Sequence, residues 1–290
     1  MKISVIIIFV SIFSTSCQLW KREQNEKKLV MGDACTGKFS EEEKKPHDKV
    51  PDLNLDIYVV NLESNTLNPK TNELSATRRE VISKRLKELG ISFKFFKAVY
   101  GKKYSFSENN KNNKLLELNS KLGEIQTFGE NGEYKYIFRR FRDKFSWGEL
   151  GHRLTFYELF KEIGKGSRPA LILEDDAVID DFFKAKLYTV LKSPPKDWSM
   201  IYPFCPSRHS RKGNTRYYKA IEDLFLTNIA QIIQPHFARK LADKMNPLDD
   251  FPTDEWLARR ASTENVFCSC PNFIHHGNED STISNEGRDL

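Results

Sequence analysis

Three consecutive acids, Glu174, Asp175 and Asp176, follow directly on the apolar run Ala170-Leu171-Ile172-Leu173. In an extended chain successive side chains point to opposite faces, so Glu174 and Asp176 share one face and Asp175 takes the other. Two carboxylates held side by side repel one another, and a divalent cation relieves that cost. Hard oxygen ligands suit Mg2+ or Mn2+, which are usually shared between one or two carboxylates and a substrate phosphate. An acidic triplet on its own is more often a solvated strand end than a metal site. Its meaning depends on the elements that carry it.

Those elements alternate between strand and helix. "LDIYVVNL", residues 55–62, is an apolar run of strand length with Ile57, Val59 and Val60. In "SATRREVISKRLKELG" the residues Val81, Ile82, Leu86 and Leu89 recur at helical spacing, with Ser75 expected to cap the start and Gly90 the end. "ISFKFFKAV" alternates Phe93 and Phe95 with Ser92 and Lys94, which predicts a second strand. This order is a βαβ unit of a parallel sheet, and ligands of open α/β sheets bind at the carboxyl ends of the strands.

Residues 101–146 are rich in Asn and Lys, with basic patches such as "FRRFRDK", and read as surface loops rather than an acceptor-binding patch. The helical period resumes in "WGELGHRLTFYELFKEIGKG", through Leu150, Leu154, Tyr157, Phe160 and Ile163, and leads into the strand that ends on the acids. "SMIYPFC" and "LFLTNIAQII" are further strands, Pro235 opens a helix through Phe237, Leu241 and Met245, and "TDEWLARRA" is a short helix. The tail from Val266 onward reads as irregular and polar. There is no internal repeat and no glycine-rich phosphate loop.

The net charge of +6 is a small difference between 46 basic and 40 acidic residues, which describes a solvated surface and argues against a nucleic-acid partner. A 39% hydrophobic content with 21 Phe supports one sizeable core. At the N-terminus, Lys2, the apolar stretch from Ile3 to Phe13 and the small residues before Cys17 read as a signal peptide over residues 1–17. That stretch is short of the roughly 20 residues of a spanning helix. It is loosely similar to the lipobox of bacterial lipoproteins, with Cys17 as the lipidated residue; an uncleaved anchor at the cytoplasmic face is the alternative. Residues 18–51 are expected to be a disordered charged linker, and residues 52–290 the folded domain. Of the remaining cysteines, Cys35, Cys205, Cys268 and Cys270, the last two form "CSC", which has neither zinc nor thioredoxin spacing. Their pairing stays open.

Several blocks in order resemble glycosyltransferase family 25, which includes lipooligosaccharide and collagen galactosyltransferases. "IYVVNLE" with "TRREVISKRLKELGISFKFFKAVYG", "GELGHRLTFYELFKEI", "ALILEDDAVI", "PTDEWL" and "EDSTIS" are similar to its successive motifs, from Asp56 to Ser284. The resemblance implies an α/β, GT-A-like fold, a Rossmann-like mixed sheet with flanking helices. It also implies a UDP-hexose donor, with galactose or glucose as the sugar, and Mn2+ or Mg2+ on the acidic triplet. The acceptor would be a glycan, a lipooligosaccharide or a protein hydroxyl. Asp176 would bind the metal that bridges the diphosphate, and Glu174 the metal shell or ribose. Asp175 would reach the donor sugar or anchor the turn.

Arg78 and Arg79 match the family's arginine position, where a guanidinium forks onto phosphate or stacks on uracil. Asn61 would bond the base or cap a turn. Asp254 is the candidate base for the acceptor hydroxyl, followed by Glu255 and Glu149. His275, His276 and Ser281 lie in the tail that closes over donor diphosphates in such folds, with His275 as the candidate third metal ligand. One block departs from the family: where many members have Ser-His, this chain has Thr155-Phe156 in "HRLTF", which removes an imidazole. Donor binding is therefore better supported than acceptor identity.

Two other functions compete, a catalytically inactive, surface-tethered glycan- or nucleotide-binding protein and a metal-dependent phosphoesterase. The phosphoesterase reading lacks a second cluster of His and Asp. An exported transferase also needs a compartment that supplies nucleotide sugar.

Overall fold

The computed structural model of the chain describes residues 38–63, 69–101, 147–204, 216–219, 227–246, 252–261 and 263–277. The expected signal peptide with Cys17, the basic stretch at 102–146, Cys35, Cys205 and Ser281 lie outside those residues.

Strand β1 (Asp56–Asn61) pairs in parallel with β2 (Lys94–Lys97) on one side and with β3 (Ala170–Glu174) on the other. Layers cover β1 and β3 on both faces, so both read as continuous apolar runs rather than alternating ones. The sheet goes on through β7 (Ala230–Ile233), β5 (Met200–Tyr202), β8 (Val266–Ser269) and β6 (Tyr217–Lys219), in the order β2-β1-β3-β7-β5-β8-β6. β7 and β6 run antiparallel to their neighbours, while β5 and β8 are parallel to each other. The architecture is the mixed, GT-A-like α/β sheet that was expected. A separate two-residue ladder joins β4 (Ala177–Val178) to β9 (His275–His276).

Helices α1 (Pro69–Glu88) and α3 (Phe183–Lys192) cover one face; α2 (Trp147–Lys165), α4 (Pro235–Lys244) and α5 (Thr253–Ala261) cover the other. Strand parity divides the core between them. Tyr58, Val60, Ala170 and Ile172 join Phe156, Leu159 and Phe160 of α2, whereas Ile57, Val59, Leu171 and Leu173 join Ile82 and Leu86 of α1. Each such side chain contributes on the order of 2 kcal/mol by leaving water. Gly151 lets α2 lie against the chain after β2, because a Cβ there would meet the Val99 carbonyl oxygen at 2.4 Å. Thr155 closes the same contact, accepting from the Val99 amide at 2.8 Å and donating to the Gly151 carbonyl at 2.7 Å.

Three expectations change. Helix α1 starts at Pro69, so Ser75 is a buried interior residue rather than the cap. Its end is as expected, with Gly90 at φ 61, Gly90 N–H donating to Lys87 and Ile91 N–H to Leu86 in a Schellman arrangement. Within residues 38–50 of the expected linker two side chains are anchored: Phe39 and Val50 are buried, and the Phe39 ring meets Phe273 edge-on at 5.9 Å. The polar tail holds β8, which lies inside the sheet, and β9. Four residues covered on both faces carry no periodicity to read.

Candidate functional site

The strand order turns at β1, whose neighbours come one from the next strand and one from much later in the chain. The crevice between the carboxyl ends of β1 and β3 is therefore a topological switch point, where open α/β sheets take their ligands. Val60 pairs with Glu174 there, which sets Asn61 and the acidic triplet across the crevice from one another.

Parity carries past the strand end. Glu174 faces α2 and α5, and Asp175 faces α1. Glu174 and Asp176 come back together at the turn, where their carboxylates and the imidazole of His276 offer ligand atoms all within 4.8 Å of one another. Burial pushes the Asp176 carboxyl up, and the negative charge of Glu174 pushes it further. Its Oδ1 is buried with no hydrogen-bond partner. Burial likewise raises Asp175 to about 7, against the opposing pull of Asn61 and Arg78. An excess of buried negative charge, one orphaned oxygen and a set of two carboxylates with an imidazole suit a divalent cation.

Arg78 is buried and sits 3.5 Å from both Asp175 Oδ1 and Asp176 Oδ2, so it is inside the site. Arg79 is turned outward. Its guanidinium lies over the Phe95 ring at 3.7 Å and donates to Asn61 Oδ1 at 3.3 Å. Asn61 is committed to protein contacts: its amide donates to Asp175 Oδ2 at 2.6 Å and to Ser75 O and Oγ at 3.0 Å, and its oxygen accepts from the Glu63 amide.

The tail supplies His276 rather than His275. The register Ala177↔His276 and Val178↔His275 puts the two imidazoles on opposite sides of a two-residue strand. His276 Nδ1 is 3.8 Å from Asp176 Oδ2, while His275 turns toward the Phe204 ring. Gly277 N–H donates to the Asp176 carbonyl at 3.0 Å, so the tail is tied to the acidic turn by backbone as well.

On the opposite face, Asp254 in the first turn of α5 is drawn into the cluster. Burial raises its carboxyl, the neighbouring His152 and the Glu255 amide lower it, and Glu174 adds repulsion. Beside it Tyr202, at the end of β5, is fully buried with an unpartnered hydroxyl, and its phenol is raised by burial and by the Asp254 charge. Glu255 points to solvent and pairs with Arg259 at 2.7 Å, one turn along the helix. Glu149 is half-buried in the first turn of α2.

One residue of this face was missed from sequence. His152 Nε2 is 2.9 Å from Glu174 Oε1, its Nδ1 is 3.1 Å from Thr253 Oγ1, and its ring lies 4.6 Å from that of Phe156. The signal was the helical period: 152 and 156 share the face of α2 that is buried against the sheet. The "HRLTF" departure thus leaves an imidazole on that face, one turn earlier.

A family model described as "Glycosyltransferase family 25 (LPS biosynthesis protein)" matches residues 55–257. Among curated proteins, Procollagen galactosyltransferase 1-B of Xenopus laevis is 30% identical over 160 residues, 53% of this chain and 22% of that protein. Procollagen galactosyltransferase 1 of Danio rerio is 30% identical over 117 residues, 36% of this chain and 19% of that protein. The matches thus span about a fifth of the length of these relatives.

Proposed function

The chain belongs to glycosyltransferase family 25, and on that premise we propose that it transfers a hexose, galactose or glucose, from a UDP-sugar to a hydroxyl of a glycan, lipooligosaccharide or protein. The observation that carries this reading is the meeting of Glu174, Asp176 and His276 at the switch point, with Asp176 Oδ1 buried and unpartnered. The three residues would hold the metal. A mixed set of oxygen and nitrogen suits Mn2+ better than Mg2+, which keeps to oxygen. The ion would stabilise charge on the departing diphosphate.

The protein's own groups do the rest. Arg78 tempers the charge of Asp175 and Asp176 and keeps them in place. Asp254 is the base: as the acceptor oxygen bonds to the anomeric carbon, the bond from that carbon to the diphosphate oxygen breaks, and the hydroxyl proton passes to Asp254. Burial holds its carboxyl above the ordinary value, which makes its carboxylate a stronger base than an exposed one. The galactosyltransferase names of the relatives support galactose as the first sugar to try.

Export remains part of this reading. It is supported by the disulfide-bonded state of Cys268 and Cys270, since such bonds persist in oxidising compartments. The deciding experiment is a nucleotide-sugar panel scored for UDP release in Mn2+ and in EDTA, with wild type beside Asp176→Ala. Release that needs both Mn2+ and Asp176 is the expected result; no UDP release from any donor overturns the reading.

A further inference from the structure

We propose that His152 is a positioning residue that holds the metal-side carboxylate Glu174 and the acceptor-side helix α5 in one arrangement. This rests on the donor and metal reading above. A carboxylate only accepts, so Nε2 carries a proton and donates to Glu174 Oε1 at 2.9 Å. In the neutral imidazole, Nδ1 is then left to accept from the Thr253 hydroxyl at 3.1 Å. Thr253 is buried and is the residue before Asp254. The imidazole therefore spans the two halves of the reaction, the acid that faces the metal and the turn that carries the base.

The ring is itself held. His152 stands on α2, which the Gly151 approach and the Thr155 hydroxyl bind to the backbone after β2, and Phe156 supports it from the next turn. A side chain this constrained has few ways to move, so it limits where the Glu174 carboxylate can point. Hydrogen-bonded partners behind a metal ligand commonly change metal affinity by about 10- to 100-fold when removed. Glu255 pairs with Arg259 instead.

The test is calorimetry of Mn2+ with UDP on the full chain, beside thermal midpoints and transfer kinetics, for His152→Phe, His152→Gln and wild type. Phe keeps a ring against Phe156 and removes both hydrogen bonds; Gln keeps a donor at the reach of Nε2 and loses the acceptor facing Thr253. The expected result is a Mn2+·UDP affinity about 10- to 100-fold weaker in the Phe variant and within about threefold of wild type in the Gln variant. The Gln variant then shows a near-normal donor KM and a reduced kcat. Wild-type affinity in His152→Phe, or the same loss in both variants, overturns the inference alone. A wild-type protein that binds no Mn2+·UDP overturns the donor reading, and this inference with it.

Discussion

The side-chain amide of Asn61 donates to the carboxylate of Asp175 at 2.6 Å, joining the end of β1 to the end of β3 across the crevice. The same amide bonds Ser75 inside α1, so one side chain ties two strands and a helix. Replacing it leaves a buried carboxylate without its donor. Asn61→Ala is expected to lower stability by about 2 kcal/mol, read as a shift of the urea midpoint at unchanged slope. Asn61→Asp, which sets a second carboxylate against Asp175, is expected to cost more than Asn61→Ala at pH 8.

Asp254 has a folded-state pKa above that of the unfolded chain, because burial opposes its ionisation. Its ionisation therefore costs stability, beginning as pH rises past the ordinary value of 3.8 and complete above the raised value. Asp254→Asn keeps an oxygen for the Glu255 amide and removes the charge. The variant is expected to match wild type in thermal midpoint at pH 4 and exceed it at pH 8, while transfer falls by about 100-fold or more with the loss of the base. A midpoint difference that does not grow with pH refutes the assignment of a buried, ionised Asp254.

Asp176 is repelled by Glu174 and carries an orphaned oxygen. Without metal, Asp176→Asn is expected to raise the thermal midpoint relative to wild type. Saturating Mn2+ with UDP should reverse the ranking, since a ligand at about 100 times its Kd stabilises the protein that binds it by roughly 2.7 kcal/mol. EDTA should restore the original order. Differential scanning fluorimetry with and without each addition reads all of this.

Gly151 is required by contact rather than by backbone conformation. A Cβ there would meet the Val99 carbonyl oxygen at 2.4 Å and the Gly101 nitrogen at 2.7 Å, both backbone atoms that cannot step aside cheaply. Gly151→Ala is expected to destabilise by about 1–3 kcal/mol. Lys165→Ala, exposed at the far end of the same helix, should stay within about 0.5 kcal/mol. Both are measured by chemical denaturation.

β1 and β3 could be read from the chain because central strands are apolar throughout, and the pairing of Glu174 with Asp176 followed from parity at the strand end. β8 could not be read, since its four residues lie between other strands and show neither alternation nor length. The choice between His275 and His276 depends on which one faces Ala177 in a two-residue ladder, a register that only tertiary pairing sets. His152 was hidden for another reason. The motif shows a loss at position 156, while the helical period places an imidazole on the same face at 152. Phe39 was hidden by composition, an aromatic in a charged stretch whose partners, Phe273, Lys186 and Arg216, all come from far along the chain.

The position of β8 also constrains how the chain reaches its native state. It is drawn from residues 266–269, yet it sits between β5 and β6, two strands made much earlier. During synthesis the emerging chain can pair β1, β2, β3 and β7, while the edge of β5 that receives β8 stays unpaired until residues 266–269 have left the ribosome. Non-local pairings of this kind slow folding and leave apolar edges open to other chains. Loss of residues beyond 265 would therefore strand a half-built sheet in an aggregation-prone form, whatever became of the chemistry.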